Sequence, residues 1–160
     1  MKTVYVETSI PSYVVARMPA DIVPAARQYL AQQWWYEYRD KFRCVISDIV
    51  LLEASRGDAD LATKRLALLK GMERLADLPA VRCLAADILK AHALPEKASE
   101  DALHLAFAIY YEVNILLTWN CRHIANPFIL SQIRKLVESR KLFMPEVVTP
   151  EELLGGCYES

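Results

Sequence analysis

The chain has 160 residues, a formal net charge of −1 and 54% hydrophobic residues, which suits one domain with a single core. The charge argues against a protein that holds nucleic acid by bulk electrostatics, because such domains usually carry a marked basic excess. No apolar run approaches the roughly 20 residues of a membrane helix, and the first residues read as a core strand rather than a secretory signal. We therefore expect one domain over residues 1–160, in the cytoplasm and without membrane contact.

Short β-rich runs alternate with longer helical runs along the chain. The predicted strands are 3–6, 43–46, 114–118 and 146–148, with a weaker candidate at 80–83. The predicted helices are 25–38, 48–55, 61–75, 85–93, 99–111 and 127–140. Strands of four or five apolar residues without alternation are typical of a parallel sheet that is buried on both faces. Together with the alternation of strands and helices, they predict a three-layer α/β/α sandwich with a mainly parallel sheet.

The four cysteines are far apart in the sequence and form no CxxC pair. This spacing argues against a thiolate zinc site and against a redox motif. We expect all four to be reduced and to act as small buried apolar side chains: Cys44, Cys83, Cys121 and Cys157.

Acidic and amide side chains stand at the ends of the predicted strands and at the start of one helix. Glu7 ends the first strand, Glu53 lies one and a half turns into the helix after the second, and Asn120 follows the strand at 114–118. Asp101 belongs to the first turn of the helix that precedes that strand. Because ligands of such sheets bind at the carboxyl ends of the strands, we expect these four residues to lie at one edge.

Each of these residues also has a plainer interpretation. Asp101 suits a first helical turn, where the helix dipole favours an acid, and Asn120 suits a turn after a strand. Glu53 fits solvent exposure less well, because it interrupts the apolar run IVLLEA. A buried carboxylate is costly unless it is paired or coordinated, and clustered acids repel unless a cation neutralises them. A set of oxygen ligands alone selects a hard ion such as Mg²⁺ or Mn²⁺.

Four segments, VYVETSI, ISDIVLLEASRG, SEDALHLAFA and ILLTWNCRHIAN, resemble in this order the motifs of the PIN domain, and in particular of the small VapC-type toxins of bacterial toxin–antitoxin pairs. The resemblance extends to about residue 130. It implies that Glu7, Glu53 and Asp101 bind Mg²⁺ or Mn²⁺, and that Thr8 or Ser9 helps to order the site. It also implies metal-dependent hydrolysis of RNA phosphodiester bonds, an antitoxin partner and a homodimer.

The sequence departs from the family pattern at two site positions. The family usually has Asp where this chain has Glu7, and it usually has Asp where this chain has Asn120. Asparagine keeps a carbonyl oxygen but no charge, so three carboxylates remain instead of four. Two hypotheses therefore stay open: an Mg²⁺- or Mn²⁺-dependent endoribonuclease, and a catalytically weak or inactive PIN-like domain that binds metal or RNA.

A third hypothesis is phosphoryl transfer through a carboxylate nucleophile on the first strand. That chemistry usually needs an Asp at the strand end and a lysine after a later strand. The chain has Glu7 at the first position, and the loops after residues 46 and 118 offer no lysine. This hypothesis therefore ranks last.

Other polar and aromatic residues near the motifs have two interpretations each. For His104 we favour packing over metal binding, and for His123, beside Arg122, a surface loop over contact with phosphate. Arg56 either pairs with an acid or contacts RNA. The segment Trp34-Trp35-Tyr36-Glu37-Tyr38 is expected to pack on the core or on a second subunit rather than to stack on bases.

Overall fold

The computed structural model describes residues 1–91, 95 and 98–158. In this part of the chain, five parallel strands form one sheet in the order β3-β2-β1-β4-β5. The strands are β1 (Thr3–Val6), β2 (Arg43–Ser47), β3 (Glu73–Leu75), β4 (Ile115–Leu117) and β5 (Glu146–Val148). From β1 the order runs outward through β2 and β3 on one side, and through β4 and β5 on the other. The order therefore reverses between β1 and β4, which is where ligands of open parallel sheets bind.

Eight helices in the described residues cover the sheet. They are α1 (Ser9–Val15), α2 (Ile22–Gln33), α3 (Asp48–Ala54), α4 (Ala59–Leu69), α5 (Pro79–Ala91), α6 (Ser99–Tyr110), α7 (Pro127–Ser139) and α8 (Pro150–Tyr158). A π-helical turn (Trp34–Tyr38) and a 3₁₀ turn (Arg39–Lys41) follow α2. One group of packed helices contains α1, α2, α4 and α8, and another contains α5, α6 and α7. The structure confirms the predicted three-layer α/β/α sandwich.

The two central strands carry the core. Val4, Tyr5 and Val6 of β1 have no exposed surface, nor have Leu116 and Leu117 of β4. Side chains on both faces of these strands are therefore buried, as the absence of alternation predicted. The carboxyl ends of β1 and β4 are thus held rigidly from both sides.

Two predicted elements beyond the central strands are wrong. The sequence predicts that residues 73–75 form the end of a helix, but α4 ends at Leu69 and Gly71 adopts φ +82°. The chain then turns and pairs as the edge strand β3, in register Val45↔Glu73. The weak strand at 80–83 is instead the start of α5, because Pro79 suits a first helical turn and buried residues recur at helical spacing over Val81, Leu84, Ala85 and Ile88.

Several smaller differences concern boundaries and exposure. Helices α1 and α8 were not predicted, and α2 begins at Ile22 rather than at residue 25. Residues 92–93 of the helix predicted at 85–93 lie outside the described residues, as does the Cys157 side chain. The three other cysteines are free thiols, but Cys83 and Cys121 are exposed rather than buried. No described helix is long and apolar enough to span a membrane.

Candidate active site at the carboxyl end of the sheet

Glu7 occupies the point at which the strand order reverses. Its backbone N–H donates to the Leu117 carbonyl of β4 at 3.1 Å, and its side chain is only 4% exposed. The carboxylate accepts hydrogen bonds from the Ser9 backbone N–H and from the Thr118 hydroxyl, the latter at 3.2 Å. Burial raises the pKa of Glu7, and the charge of His104 and the bond from Ser9 only partly oppose this. The site therefore contains a carboxylate that lacks a full countercharge.

The loops after β1 and β4 are joined by hydroxyl groups. The Ser9 hydroxyl accepts from the Trp119 backbone N–H at 2.8 Å, and the Thr118 hydroxyl oxygen accepts from the Asn120 N–H at 2.9 Å. Thr118 also donates to Glu7, so one hydroxyl links the first acid to the loop that carries Asn120. This local order explains why small hydroxyl residues flank Glu7.

Glu53 points from α3 to the loop after β1. Its Oε1 accepts from the Thr8 hydroxyl at 2.5 Å and lies 2.6 Å from His104 Nε2. Burial alone would raise the pKa of Glu53, but the hydrogen bond and charge of His104, with the bond from Thr8, bring that pKa down to about 2. Glu53 is thus ionised at neutral pH and held by two protein donors.

His104 lies on α6 and is 1% exposed, so the prediction that it packs is confirmed. It also makes polar contacts, because its Nδ1 is 2.8 Å from the Tyr5 hydroxyl. Burial lowers the pKa of His104, but the bond to Glu53 and the negative charges of Glu7, Glu53 and Asp101 raise it above the ordinary value overall. His104 therefore contributes positive character among the acids.

Asp101, Asn120 and His123 form a second group of contacts. Asp101 Oδ1 accepts from Asn120 Nδ2, and Asp101 Oδ2 lies beside His123 Nδ1, both at 3.0 Å. The side-chain oxygen of Asn120, Oδ1, accepts from the His123 backbone N–H, also at 3.0 Å. Asn120 therefore presents donors, not its carbonyl oxygen, to Asp101. Burial raises the pKa of Asp101, although the bond with His123 opposes the shift.

Sequence reasoning missed Glu100 as a member of the acid group. Arg56 forms two hydrogen bonds with Glu100, at 2.9 and 2.8 Å, which confirms that this arginine pairs with an acid. Glu100 is in turn within hydrogen-bonding reach of Glu53. Its place beside Asp101 in the sequence was the only available signal, and adjacent helix residues do not normally face the same way.

The acids fit a hard cation in their chemistry but do not form a ready-made cage. Among the described residues, no three His, Cys, Asp or Glu side chains are gathered closely enough to hold a metal ion. Glu7 and Asp101 each interact electrostatically with Glu53, and each of the three accepts from protein donors. Carboxylate oxygens are the ligands that Mg²⁺ and Mn²⁺ prefer, and each carboxylate has lone pairs beyond those that accept from these donors. Metal binding by Glu7, Glu53 and Asp101 stays a prediction.

The pKa shifts predict how stability depends on pH without metal. Glu7, Asp101 and His104 have raised pKa values, so their contribution is present at low pH and is lost as pH rises through their folded pKa values. Glu53 has a lowered pKa, so its contribution is present above its ordinary value of 4.5 and is lost toward about 2. We expect the melting temperature in EDTA to be highest near about pH 4.5, to fall above this as Glu7 and Asp101 ionise, and to fall further above about pH 6.5 as His104 loses its proton. A melting temperature that climbs steadily from about pH 5 to 8 would contradict these shifts.

Comparison with known proteins identifies the fold. No family model and no curated protein matches the sequence. The structure resembles VapC20 of Mycobacterium tuberculosis, a sarcin-ricin loop cleaving toxin, with TM-score 0.55 and 19% identity over 71% of this chain and 86% of that one. It also resembles VapBC2 of Rickettsia felis, solved with a DNA fragment from its promoter, with TM-score 0.53 and 14% identity over 92% and 98% of the two chains. The chain therefore has the PIN-like fold of VapC toxins, as its motifs predicted.

Proposed function

We propose that the chain is a divalent-metal-dependent endoribonuclease that hydrolyses RNA phosphodiester bonds and acts as the toxin of a toxin–antitoxin pair. The observation that carries the proposal is the placement of Glu7, Glu53 and Asp101 around the reversal point of a sheet with the fold of VapC toxins. These acids come from three separate parts of the chain. Glu7 is buried and Asp101 is partly buried, and the pKa values of both are raised. A cation bound there would relieve that unfavourable burial of charge.

In this proposal the three acids hold Mg²⁺ or Mn²⁺, and Asn120 orients Asp101. The ion, when bound, supplies a Lewis acid and an activated water for attack at phosphorus. Thr8 and Thr118 keep Glu53 and Glu7 in place through their hydroxyl groups. His123, in the loop after β4 and beside Asp101, is proposed to contact phosphate once RNA is bound.

The partners follow from the same proposal. VapBC2 was solved as a complex that binds promoter DNA, and we propose a cognate antitoxin for this chain as well. Both proteins and the RNA substrate would meet in the cytoplasm.

Trp34 and Trp35 are buried, which confirms packing on the core. Ile22, Tyr29 and Tyr36 lie seven residues apart and are 86%, 65% and 70% exposed, respectively. Ile22 and Tyr29 lie on one face of α2, and Tyr36 of the π-helical turn lines a surface pocket together with Tyr29. We propose these three side chains as the contact of a homodimer.

Cleavage of a mixed RNA with controlled metal tests the function. We expect no cleavage in EDTA, cleavage after addition of Mn²⁺, and weaker cleavage with Mg²⁺. The inactive-domain alternative is favoured by the donor orientation of Asn120, and it predicts a different result. In that case Mn²⁺ raises the melting temperature by binding the folded state, yet RNA stays intact. If Mn²⁺ causes neither cleavage nor stabilisation, the endoribonuclease and the metal-binding form of the alternative both fail.

Substitution Asn120→Asp separates the two hypotheses further. The new carboxylate would replace a donor that now lies 3.0 Å from Asp101 Oδ1, so repulsion should lower the melting temperature in EDTA. With Mn²⁺ we expect a larger increase in melting temperature than in the wild type, and faster cleavage with Mg²⁺. The measurement is thermal denaturation with and without each ion, alongside the RNA assay.

The matched control for this substitution is Asn126→Asp. Asn126 caps α7 by accepting from the Phe128 N–H at 3.0 Å, a role that Asp fills as well as Asn. Because the Asn126 amide also donates to the Arg122 carbonyl, only the change in melting temperature on adding Mn²⁺ is compared. Both variants add one negative charge to the same loop. An equal increase in melting temperature with Mn²⁺ for the two variants would show that residue 120 has no special relation to the metal.

A further inference from the structure

A row of buried polar groups lies behind Glu53. The Ser47 hydroxyl is 2.6 Å from the Tyr5 hydroxyl, which is 2.8 Å from His104 Nδ1, and His104 Nε2 is 2.6 Å from Glu53 Oε1. Ser47 and Tyr5 have no exposed surface, and His104 is 1% exposed. The row runs from β2 through β1 to α6 and ends on α3. None of the first three groups is exposed enough to touch RNA.

The direction of the bond to Glu53 follows from the chemistry of its partners. Oε1 of Glu53 is the acceptor of the Thr8 hydroxyl at 2.5 Å, and a carboxylate oxygen only accepts hydrogen bonds. His104 Nε2 therefore carries the proton and donates. The Tyr5 hydroxyl can either donate to Nδ1 or accept from it, with Ser47 taking the complementary role. The bond to Glu53 is the same in both arrangements.

Both protein donors meet the same oxygen of Glu53. Thr8 and His104 both bond to Oε1, and together they fix the torsion angles of a side chain that would otherwise rotate freely. The other oxygen, Oε2, makes no bond to either donor, although Glu100 also lies within hydrogen-bonding reach of the Glu53 carboxylate. Because an ordered ligand loses less conformational entropy when it binds, this arrangement prepares one oxygen of Glu53 for an ion.

We propose that His104, held in turn by Tyr5, is a positioning residue that fixes Glu53 through Oε1 and leaves Oε2 to bind the divalent metal. This inference rests on the proposed function. It assigns His104 neither contact with the ion nor contact with RNA. It also explains why an imidazole occupies the apolar segment ALHLAFA of α6, where burial of an unpaired polar group would be costly.

The first experiment measures Mn²⁺ affinity of folded protein by electron paramagnetic resonance. Loss of an outer-sphere partner typically weakens metal binding 10–100-fold, and we expect this range for His104→Leu. His104→Gln keeps an N–H donor at similar reach and should bind within roughly threefold of the wild type. In the RNA assay, kcat should fall for His104→Leu while KM for RNA stays unchanged, because His104 is buried.

The control is Leu105→Ala, which removes a fully buried apolar side chain from the same helix. It should lower the melting temperature, as cavities do, and leave Mn²⁺ affinity unchanged. If His104→Leu does not fold, Tyr5→Phe removes one hydroxyl of the row and should still weaken Mn²⁺ binding, by roughly three- to tenfold. A folded His104→Leu or Tyr5→Phe variant with the Mn²⁺ affinity of the wild type would mean that the row is only structural.

A second experiment requires neither metal nor RNA. Long-range ¹H–¹⁵N NMR of histidine-labelled protein in EDTA should show a His104 Nε2–H proton that is protected from exchange with water. Glu53→Gln should shift this resonance, whereas Asp87→Asn on α5 should not. An unprotonated Nε2, or a resonance unaffected by Glu53→Gln, overturns the inference alone. If the wild-type protein shows the protected Nε2–H resonance but binds no Mn²⁺, the proposed function is contradicted and the inference fails with it.

Discussion

Asp101→Asn should abolish the proposed ribonuclease activity. The loss should be at least about 100-fold, because removing a direct ligand should cost no less than the largest losses for residues that only support a ligand. The substitution leaves Glu7 and Glu53 as the only proposed ligands and keeps the volume of the side chain. The fold should persist, because the new amide can still accept from Asn120 Nδ2 and donate toward His123. The measurement is single-turnover cleavage of a mixed RNA with saturating Mn²⁺.

The control for Asp101→Asn is Asp87→Asn. Asp87 lies on α5 and pairs at 2.7 Å with Arg140, which directly follows α7. The same loss of one charge there should leave cleavage within about twofold of the wild type, because exposed ion pairs contribute little. Equal activity of Asp101→Asn and Asp87→Asn would show that the acid group is not the catalytic site.

Glu7→Gln should remove activity and stabilise the metal-free protein at the same time. Glu7 is buried with a raised pKa, so its ionisation costs stability at neutral pH. The amide keeps an oxygen acceptor for the Ser9 N–H, and its N–H₂ group can donate to the Thr118 hydroxyl. We expect a melting temperature in EDTA that is higher by about 2–4 °C, the shift for ~1 kcal/mol in a chain of this size.

Adding Mn²⁺ should then reverse the order of the two proteins. The wild type gains stability from the bound ion, whereas Glu7→Gln lacks one charged ligand and should gain much less. RNA cleavage by the variant should fall by about 100-fold or more, on the same reasoning as for Asp101. A Glu7→Gln variant that is destabilised in EDTA and responds fully to Mn²⁺ would mean that Glu7 serves the fold rather than the ion.

These two predictions concern residues that the sequence already singled out. Glu7 and Glu53 could be identified because each carboxylate follows or interrupts an apolar run, where a solvent-exposed acid has little room. Asp101 and Asn120 could be identified through the motifs around them. At 14–19% identity to the solved structures, overall sequence similarity is weak, and short motifs at strand ends carried the information on the fold.

Contacts between distant residues were beyond the reach of the sequence. The pattern favoured packing for His104 but did not show that its Nε2 meets Glu53, because that bond depends on how α6 crosses α3. The orientation of Asn120 follows from the His123 backbone N–H, which takes up the amide oxygen. Glu100 lies near Glu53, and its ion pair with Arg56, in the loop after α3, is a contact of the same kind.

The edge strand β3 was missed for a related reason. Its residues are Glu73, Arg74 and Leu75, of which the first two are exposed, so no apolar run marks it. The strand forms because Gly71 turns the chain after α4, and the backbone of β2 offers an unpaired edge. Tertiary pairing therefore decides this element, whereas hydrophobic burial decides β1 and β4.

The most direct test is the location of Mn²⁺ by anomalous diffraction from a crystal of the wild-type protein. The proposed function predicts one ion at the carboxyl end of β1, bound by oxygens of Glu7, Glu53 and Asp101 at about 2.0–2.3 Å. Glu53 should contribute Oε2, while Oε1 remains with Thr8 and His104. If a crystal saturated with Mn²⁺ gives no anomalous peak among these three carboxylates, or gives its peak elsewhere on the molecule, the claim that they bind the metal is contradicted.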